Sequence, residues 1–213
     1  RGLGDVYKRQ HIIGFDPKYL IFSESKHELK IENIDKGEIR SYSCENPYYK
    51  LRDIIPQNII SKKYAGGLVG FLSYDGFNYF ENNLNIKKNP NFESFKFGVY
   101  LDGLIYDQMT GEIFYYYYED NKIEKIKSII KQNNHNSTQV SCKFLRNSMT
   151  RDEHRKTVLK IKEDIKNGLI FQCEVGFKSH YEIKGDLTEI YSKLRMLNPS
   201  PHMYFMKFSD QII

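Results

Sequence analysis

Between His11 and Arg40 apolar residues fall at alternate positions in short runs, HIIGF, KYLIFSE, HELKIE and GEIRSYS, broken by Asp, Gly, Pro and Asn. A period of two puts one set of side chains on each face of a strand, so an antiparallel meander is expected here. The period then changes. In NPYYKLRDII, Tyr48, Leu51, Ile54 and Ile55 share one helical face and Pro47 suits a first turn, so a short helix is expected. AGGLVGFLSYD, Ala65 to Asp75, returns to an apolar strand carrying three glycines. Glycine weakens a strand and marks a close approach or a bend. The phosphate-loop spacing and its Lys-Ser/Thr are absent, so packing is the expected role. FKFGVYLDGLIYD and GEIFYYYYED are joined by QMTG, which predicts a hairpin turning at Met109, Thr110 and Gly111. The run Tyr115 to Tyr118 places two rings on each face of that sheet. NKIEKIKSIIKQNN follows as an amphipathic helix with Ile123, Ile126, Ile129 and Ile130 inward.

The stretch NNHNSTQVSC is polar and poor in apolar residues, which places a linker and a domain boundary near residues 133–147. The expected division is a first domain over 11–142 and a second over 143–213. The second is patterned differently. TRDEHRKTVLKIKEDIKNG has Thr150 and Glu153 at capping-box spacing, Val158, Ile161 and Ile165 on one face, and Gly168 as a stop. LIFQCEVGFKSHYEI reads as a strand. GDLTEIYSKLRMLNPS reads as a helix capped by Asp186, with Glu189 at the box position and Leu187, Ile190, Leu194 and Leu197 inward, ended by Pro199. Tyr204 to Phe208 reads as a buried closing strand. The whole is an α+β chain of mostly antiparallel sheets with flanking helices.

Composition narrows the partners. The chain has 213 residues, 40% hydrophobic, with a net charge of +5 spread along its length. No basic stripe with interleaved aromatics occurs, so nucleic acid is not expected as a partner, while a small anion remains compatible. Cys44, Cys142 and Cys173 are odd in number and widely spaced, which argues for reduced thiols and a cytoplasmic setting rather than a disulfide frame or a zinc site. No apolar run reaches the roughly 18 residues of a membrane span, and no secretory leader is visible. Arg1 is not an initiator Met, and RGLGDVYKRQ shows neither period, so it is set aside as foreign sequence. His11, His27, His135, His154, His180 and His202 are dispersed, so no metal site is named. Asp102 and Asp107 are expected to be solvated or in turns. Cys173 is expected to be a buried thiol.

Three stretches in order, GGLVGFLSYD, IKNGLIFQCEVGFK and LRMLNPSPHMYF, resemble the chorismate-utilising enzymes, and among them component I of anthranilate synthase. HIIGFDP and NFESFKFGVYLDGLIYD fit the same family. The resemblance implies an α/β sandwich, truncated here, whose whole form converts chorismate and ammonia to anthranilate and pyruvate. Ammonia would come from a glutamine amidotransferase subunit, component II, in a hetero-oligomer. Mg²⁺ would be the cofactor, with its ligands in a C-terminal part that this chain lacks, so the chain alone is expected to be inactive.

By the same resemblance, Gln172 stands where isochorismate- and salicylate-forming relatives carry a water-activating lysine. Ammonia brings its own lone pair and needs no such base, so a neutral amide suits it. An ordinary sheet glutamine is the alternative. Asn198, Pro199, Pro201, His202 and Met203 would line a tryptophan site for feedback inhibition, where two prolines stiffen the backbone and leave carbonyls free for an ammonium group. His202 stands where tyrosine is common. The opposite wall, a Leu-Leu-Glu-Ser type stretch before HIIGFDP, is absent. The alternatives are an aminodeoxychorismate synthase subunit or an isochorismate-type enzyme, which the NPSP run and Gln172 disfavour, and a non-catalytic domain that binds an amino acid.

Overall fold

The structure, a computed structural model, describes residues 10–55, 66–81, 83–132, 139–209 and 211–213. The chain divides into two compact units, Arg1–Asn133 and Asn134–Ile213. Of the linker expected near 133–147, residues 133–138 lie outside the described residues.

In the first unit five strands form one antiparallel sheet: β2 (Tyr19–Ser23), β3 (Glu28–Asn33), β4 (Glu38–Ser43), β5 (Gly67–Leu72) and β6 (Phe95–Tyr100), in the order β4-β3-β2-β6-β5. β2 is central, with Tyr19 opposite Asn33 on one side and Val99 on the other. Alternation puts Ile21 and Leu29 on one face, where they meet Leu51, Tyr79 and Phe95 in the buried core. Leu51 comes from α1 (Pro47–Ile54). Asn46 caps α1 by accepting from the Tyr48 and Tyr49 N–H groups at 3.0 and 3.2 Å, and its own amide donates to the Tyr79 carbonyl at 2.7 Å. One side chain thus starts the helix and pins it to the 3-10 turn at Tyr74–Tyr79. Tyr48 and Ile54 pack against the core as their spacing predicts, whereas Ile55 follows the helix and is exposed.

A second sheet of three strands has the order β1-β7-β8, with β1 (Gln10–Gly14), β7 (Asp102–Asp107) and β8 (Ile113–Tyr117). Here the expected meander is corrected. β1 does not pair with β2; it lies against β7, with Ile12 opposite Ile105. The cause is Asp16, held at φ 47° before Pro17, which turns the chain out of the first sheet. Gln10, set aside with the first ten residues, opens β1. The β7–β8 hairpin forms as predicted: the Asp107 carbonyl accepts from the Gly111 N–H at 2.8 Å. Tyr115 and Tyr117 stack on one face at 5.5 Å. α2 (Ile123–Gln132) follows, but of its predicted inward set Ile126 is buried while Ile129 and Ile130 are exposed.

The second unit holds α3 (Arg151–Lys166), α4 (Leu187–Leu197) and a two-stranded sheet of β9 (Ser141–Asn147) and β10 (Ser179–Lys184). β9 occupies the later part of the stretch that polarity marks as a linker. Pairing with β10 overrides that polarity, since a strand open on both faces needs few apolar residues. The long strand expected over LIFQCEVGFKSHYEI shortens to β10, because β9 offers no partner residue N-terminal to Ser179 beyond the single step at Ser148 and Lys178. Tyr204 to Phe208 forms no strand. Backbone bonds Met206–Ile213 and Phe208–Gln211 fold this end on itself, with Phe208 buried and Tyr204 exposed. On α4 the predicted inward residues Ile190, Leu194 and Leu197 are exposed.

Candidate functional site

The sequence-predicted site residues all fall in the second unit, on two segments that follow helices. The first follows α3. Thr150 and Glu153 close the predicted capping box, Thr150 Oγ1 accepting from the Glu153 N–H at 3.2 Å and Glu153 Oε2 from the Thr150 N–H at 2.8 Å. The Thr150 N–H, and then its hydroxyl, hold the Glu153 carboxyl below the usual glutamate range. Gly168, at φ 74°, ends the helix, and the Leu169 N–H donates to the Asp164 carbonyl at 3.0 Å. The chain then runs to Lys178 without helix or strand, and Gln172 lies on this run with its side chain exposed. Gln172 is therefore on a loop and not on the strand expected for it. Cys173 beside it is exposed, which corrects the buried thiol; Cys44, Cys142 and Cys173 are all free.

The second segment follows α4. Asp186 caps that helix by accepting from the Thr188 N–H at 2.9 Å, and this bond, with a smaller contribution from Lys207, lowers the Asp186 carboxyl. Asn198 ends it, its N–H donating to the Leu194 carbonyl at 2.9 Å, and Pro199 forbids another turn. The chain then doubles back along α4: the Phe205 ring lies 5.5 Å from Tyr191, and Lys207 acts on Asp186 at the helix start. Asn198, Pro199, Pro201 and His202 are exposed at this reversal and Met203 is half-buried. Carbonyls here sit beside a helix C-terminus, whose partial negative charge favours a cation such as an ammonium group. Among the described residues no hydrogen bond joins Gln172 to the 198–203 stretch, so the two segments are separate features.

Two buried aspartates in the first unit have roles that the sequence did not show. Asp75, 5% exposed, accepts from Ser73 Oγ at 2.5 Å and Ser94 Oγ at 2.8 Å. Asp102, 4% exposed, pairs with Lys122 Nζ at 2.9 Å, and that hydrogen bond holds the Lys122 ammonium above its ordinary value. The solvated role expected for Asp102 is thereby corrected, while Asp107 takes its turn role by accepting from the Met109 N–H at 2.8 Å. Each buried aspartate has a partner about twenty residues away, Ser94 for Asp75 and Lys122 for Asp102, which no local spacing signals. Among the described residues no group of three or more His, Cys, Asp or Glu could hold a metal ion. The described residues do not fit a Mg²⁺ site.

The profile of chorismate binding enzymes matches residues 4–213. The chain belongs to the chorismate-binding enzyme family. The match begins at residue 4, within the decapeptide that lacks periodicity. Anthranilate synthase component 1 of Leptospira biflexa is 38% identical over 201 residues, covering 93% of this chain and 42% of the relative. The protein of the same name from Methanothermobacter marburgensis is 31% identical over 206 residues, covering 96% of this chain and 43% of the relative. The chain thus spans less than half the length of those relatives. The solved anthranilate synthase component I of Streptococcus pneumoniae TIGR4 matches with a TM-score of 0.73 at 20% identity, over 95% of this chain and 48% of that one. It shares the α+β fold. No helix among the described residues is long and apolar enough to cross a membrane.

Proposed function

We propose that this chain is the N-terminal part of an anthranilate synthase component I, acting in tryptophan biosynthesis in the cytoplasm. The observation that carries the reading is the 38% identity to the Leptospira biflexa protein of that name, sustained over 93% of this chain. The whole enzyme adds ammonia to chorismate at C2 with loss of the C4 hydroxyl, then eliminates pyruvate to give anthranilate. Ammonia comes from a component II amidotransferase bound in a hetero-oligomer; Mg²⁺, if bound in the whole enzyme, would be held by carboxylates other than those described here and would supply charge neutralisation at the substrate carboxylate.

Within the chain, Gln172 faces the incoming ammonia. Its amide donates and accepts hydrogen bonds at neutral pH without competing for a proton, so it orients the nucleophile and activates no water. Asn198, Pro199, Pro201, His202 and Met203 form one wall of a tryptophan inhibitor site. The proline-stiffened backbone presents an apolar face to the indole and carbonyls to the ammonium group. His202 in place of a phenol alters the polar edge of that wall.

The test is a chimera in which this chain is continued by the C-terminal part of the Leptospira biflexa relative, assayed by anthranilate fluorescence with chorismate, Mg²⁺ and ammonium. The chimera forms anthranilate, and this chain alone forms none. Conversion of chorismate to an aminodeoxychorismate or isochorismate instead overturns the reading, as does anthranilate formation by the 213-residue chain without the added part.

A further inference from the structure

We propose that His154 is a positioning residue for the Gln172 segment, its Nε2–H holding the backbone of residues 169–178 against α3. The inference rests on the reading of Gln172 as the ammonia-facing residue.

Between Gly168 and Lys178 the chain forms no strand. Its ends are fixed by backbone and hydroxyl bonds. Leu169 bonds back to Asp164 at 3.0 Å, while Lys178 bonds Ser148 in both directions, at 2.7 Å through its carbonyl and 2.8 Å through its N–H. In the middle, His154 Nε2 lies 3.1 Å from the Val175 carbonyl oxygen. A carbonyl only accepts, so the proton is on Nε2. The Phe177 ring meets the imidazole edge-on, centroids 6.0 Å apart at 84°. Val175 is half-buried while Gln172, Cys173, Glu174, Gly176 and Phe177 are exposed, which makes it the point where the run touches down. His154 lies on the half-buried face of α3 with Val158 and Ile161, at i, i+4 and i+7, so it is aimed inward by the helix period itself. Gln172 is three residues from this tether. Without it, an eight-residue span between Leu169 and Lys178 would carry the amide on a free loop.

The donor reach is specific. A glutamine Nε2 lies as many bonds from Cα as the histidine Nε2, an asparagine amide is one bond short, and a phenylalanine keeps the ring but has no donor. Cleavage at Glu174 by a glutamate-specific protease under native conditions reports detachment of the run, because a protease needs the segment free of its neighbours. His154→Phe and His154→Asn are expected to be cut about five-fold faster than the parent, the factor for losing one hydrogen bond, and His154→Gln at close to the parent rate. Cleavage at Glu182 in β10 stays unchanged in all three. Equal rates at Glu174 in every variant, or equal acceleration in His154→Gln and His154→Phe, overturn the proposal. So does a variant that also loses protection at Glu182, because a tether of one run leaves the ladder intact. Failure of the Gln172 reading shows separately: Gln172→Ala in the chimera would then leave the anthranilate yield unchanged, with the cleavage pattern untouched.

Discussion

Gly70→Ala adds one methyl group at a place where two strands leave no room for it. A Cβ built on Gly70 overlaps the Lys96 carbonyl oxygen and lies 2.6 Å from Phe97 Cα and 2.8 Å from the Lys96 carbonyl carbon. All three are backbone atoms of β6, so no rotamer change relieves the clash. β6 is held on its other side by β2 and carries Phe95, which is fully buried. The strand that must give is therefore β5, at the sheet edge, and it gives by losing register with β6 and withdrawing Leu68 from the core. Forced overpacking costs about 1–3 kcal/mol, and an obstacle made of backbone puts this case near 3. The lower unfolded-state entropy of alanine offsets about 0.4–1 kcal/mol of that, leaving about 2. For a domain of this size the loss lowers the melting temperature by roughly 8 °C. Calorimetry is the assay, with the two units fitted as separate transitions, because a single two-state treatment does not apply to them jointly. A first-unit transition within about 2 °C of the parent would refute the reasoning: Gly70 would then not sit against Lys96 and Phe97 in this register.

Other perturbations follow from the same contacts. Asp75→Ala strands the Ser94 hydroxyl and leaves Ser73 Oγ only the Ser94 carbonyl at 3.2 Å, and is expected to cost about 2 kcal/mol in urea unfolding, with Asp75→Asn costing about half as much; equal costs would deny the carboxylate its double acceptor role. Lys122→Ala leaves Asp102 buried with Tyr115 Oη at 3.4 Å and is expected to cost about 2 kcal/mol, less than for a fully buried pair because Lys122 is a third exposed; no measurable change contradicts the pairing. Glu153 has a depressed carboxyl pKa, so its contribution to the α3 cap is present above the unfolded glutamate value of about 4.3 and is lost as pH falls through the lower folded value. A carboxyl ¹³C titration of Glu153 should give a midpoint below that of a free glutamate, returning towards it in Thr150→Ala; a midpoint at or above the ordinary value contradicts the capping box.

The sequence revealed elements where local signals and tertiary demand agree. Thr150 and Glu153, Asp186, Pro47 in a first helical turn, and the turn at Met109 to Gly111 all act within a few residues, and each forms as its spacing predicts. It misled where partners decide. β1 reads like its neighbours, but Asp16 sends it to β7, nearly a hundred residues on. The run at 169–178 has strand composition and no strand beside it. Ile129, Ile130, Leu194 and Leu197 have helical spacing, yet nothing in their own units covers them. The candidate residues were named only through ordered family stretches: Gln172 and the Asn198 to Met203 reversal have no unusual chemistry alone. His154 was invisible because its partner, Val175, is a backbone carbonyl 21 residues away.

The most direct test of the function is the fate of labelled ammonia. Chorismate, Mg²⁺ and ¹⁵N-ammonium are supplied to the chimera that continues this chain, and the products are analysed by mass spectrometry. The account predicts anthranilate carrying the label in its amino group, with the yield reduced by Gln172→Ala and hydroxylated product appearing with Gln172→Lys. Chorismate converted only to an unlabelled, hydroxylated product by the parent chimera would contradict it.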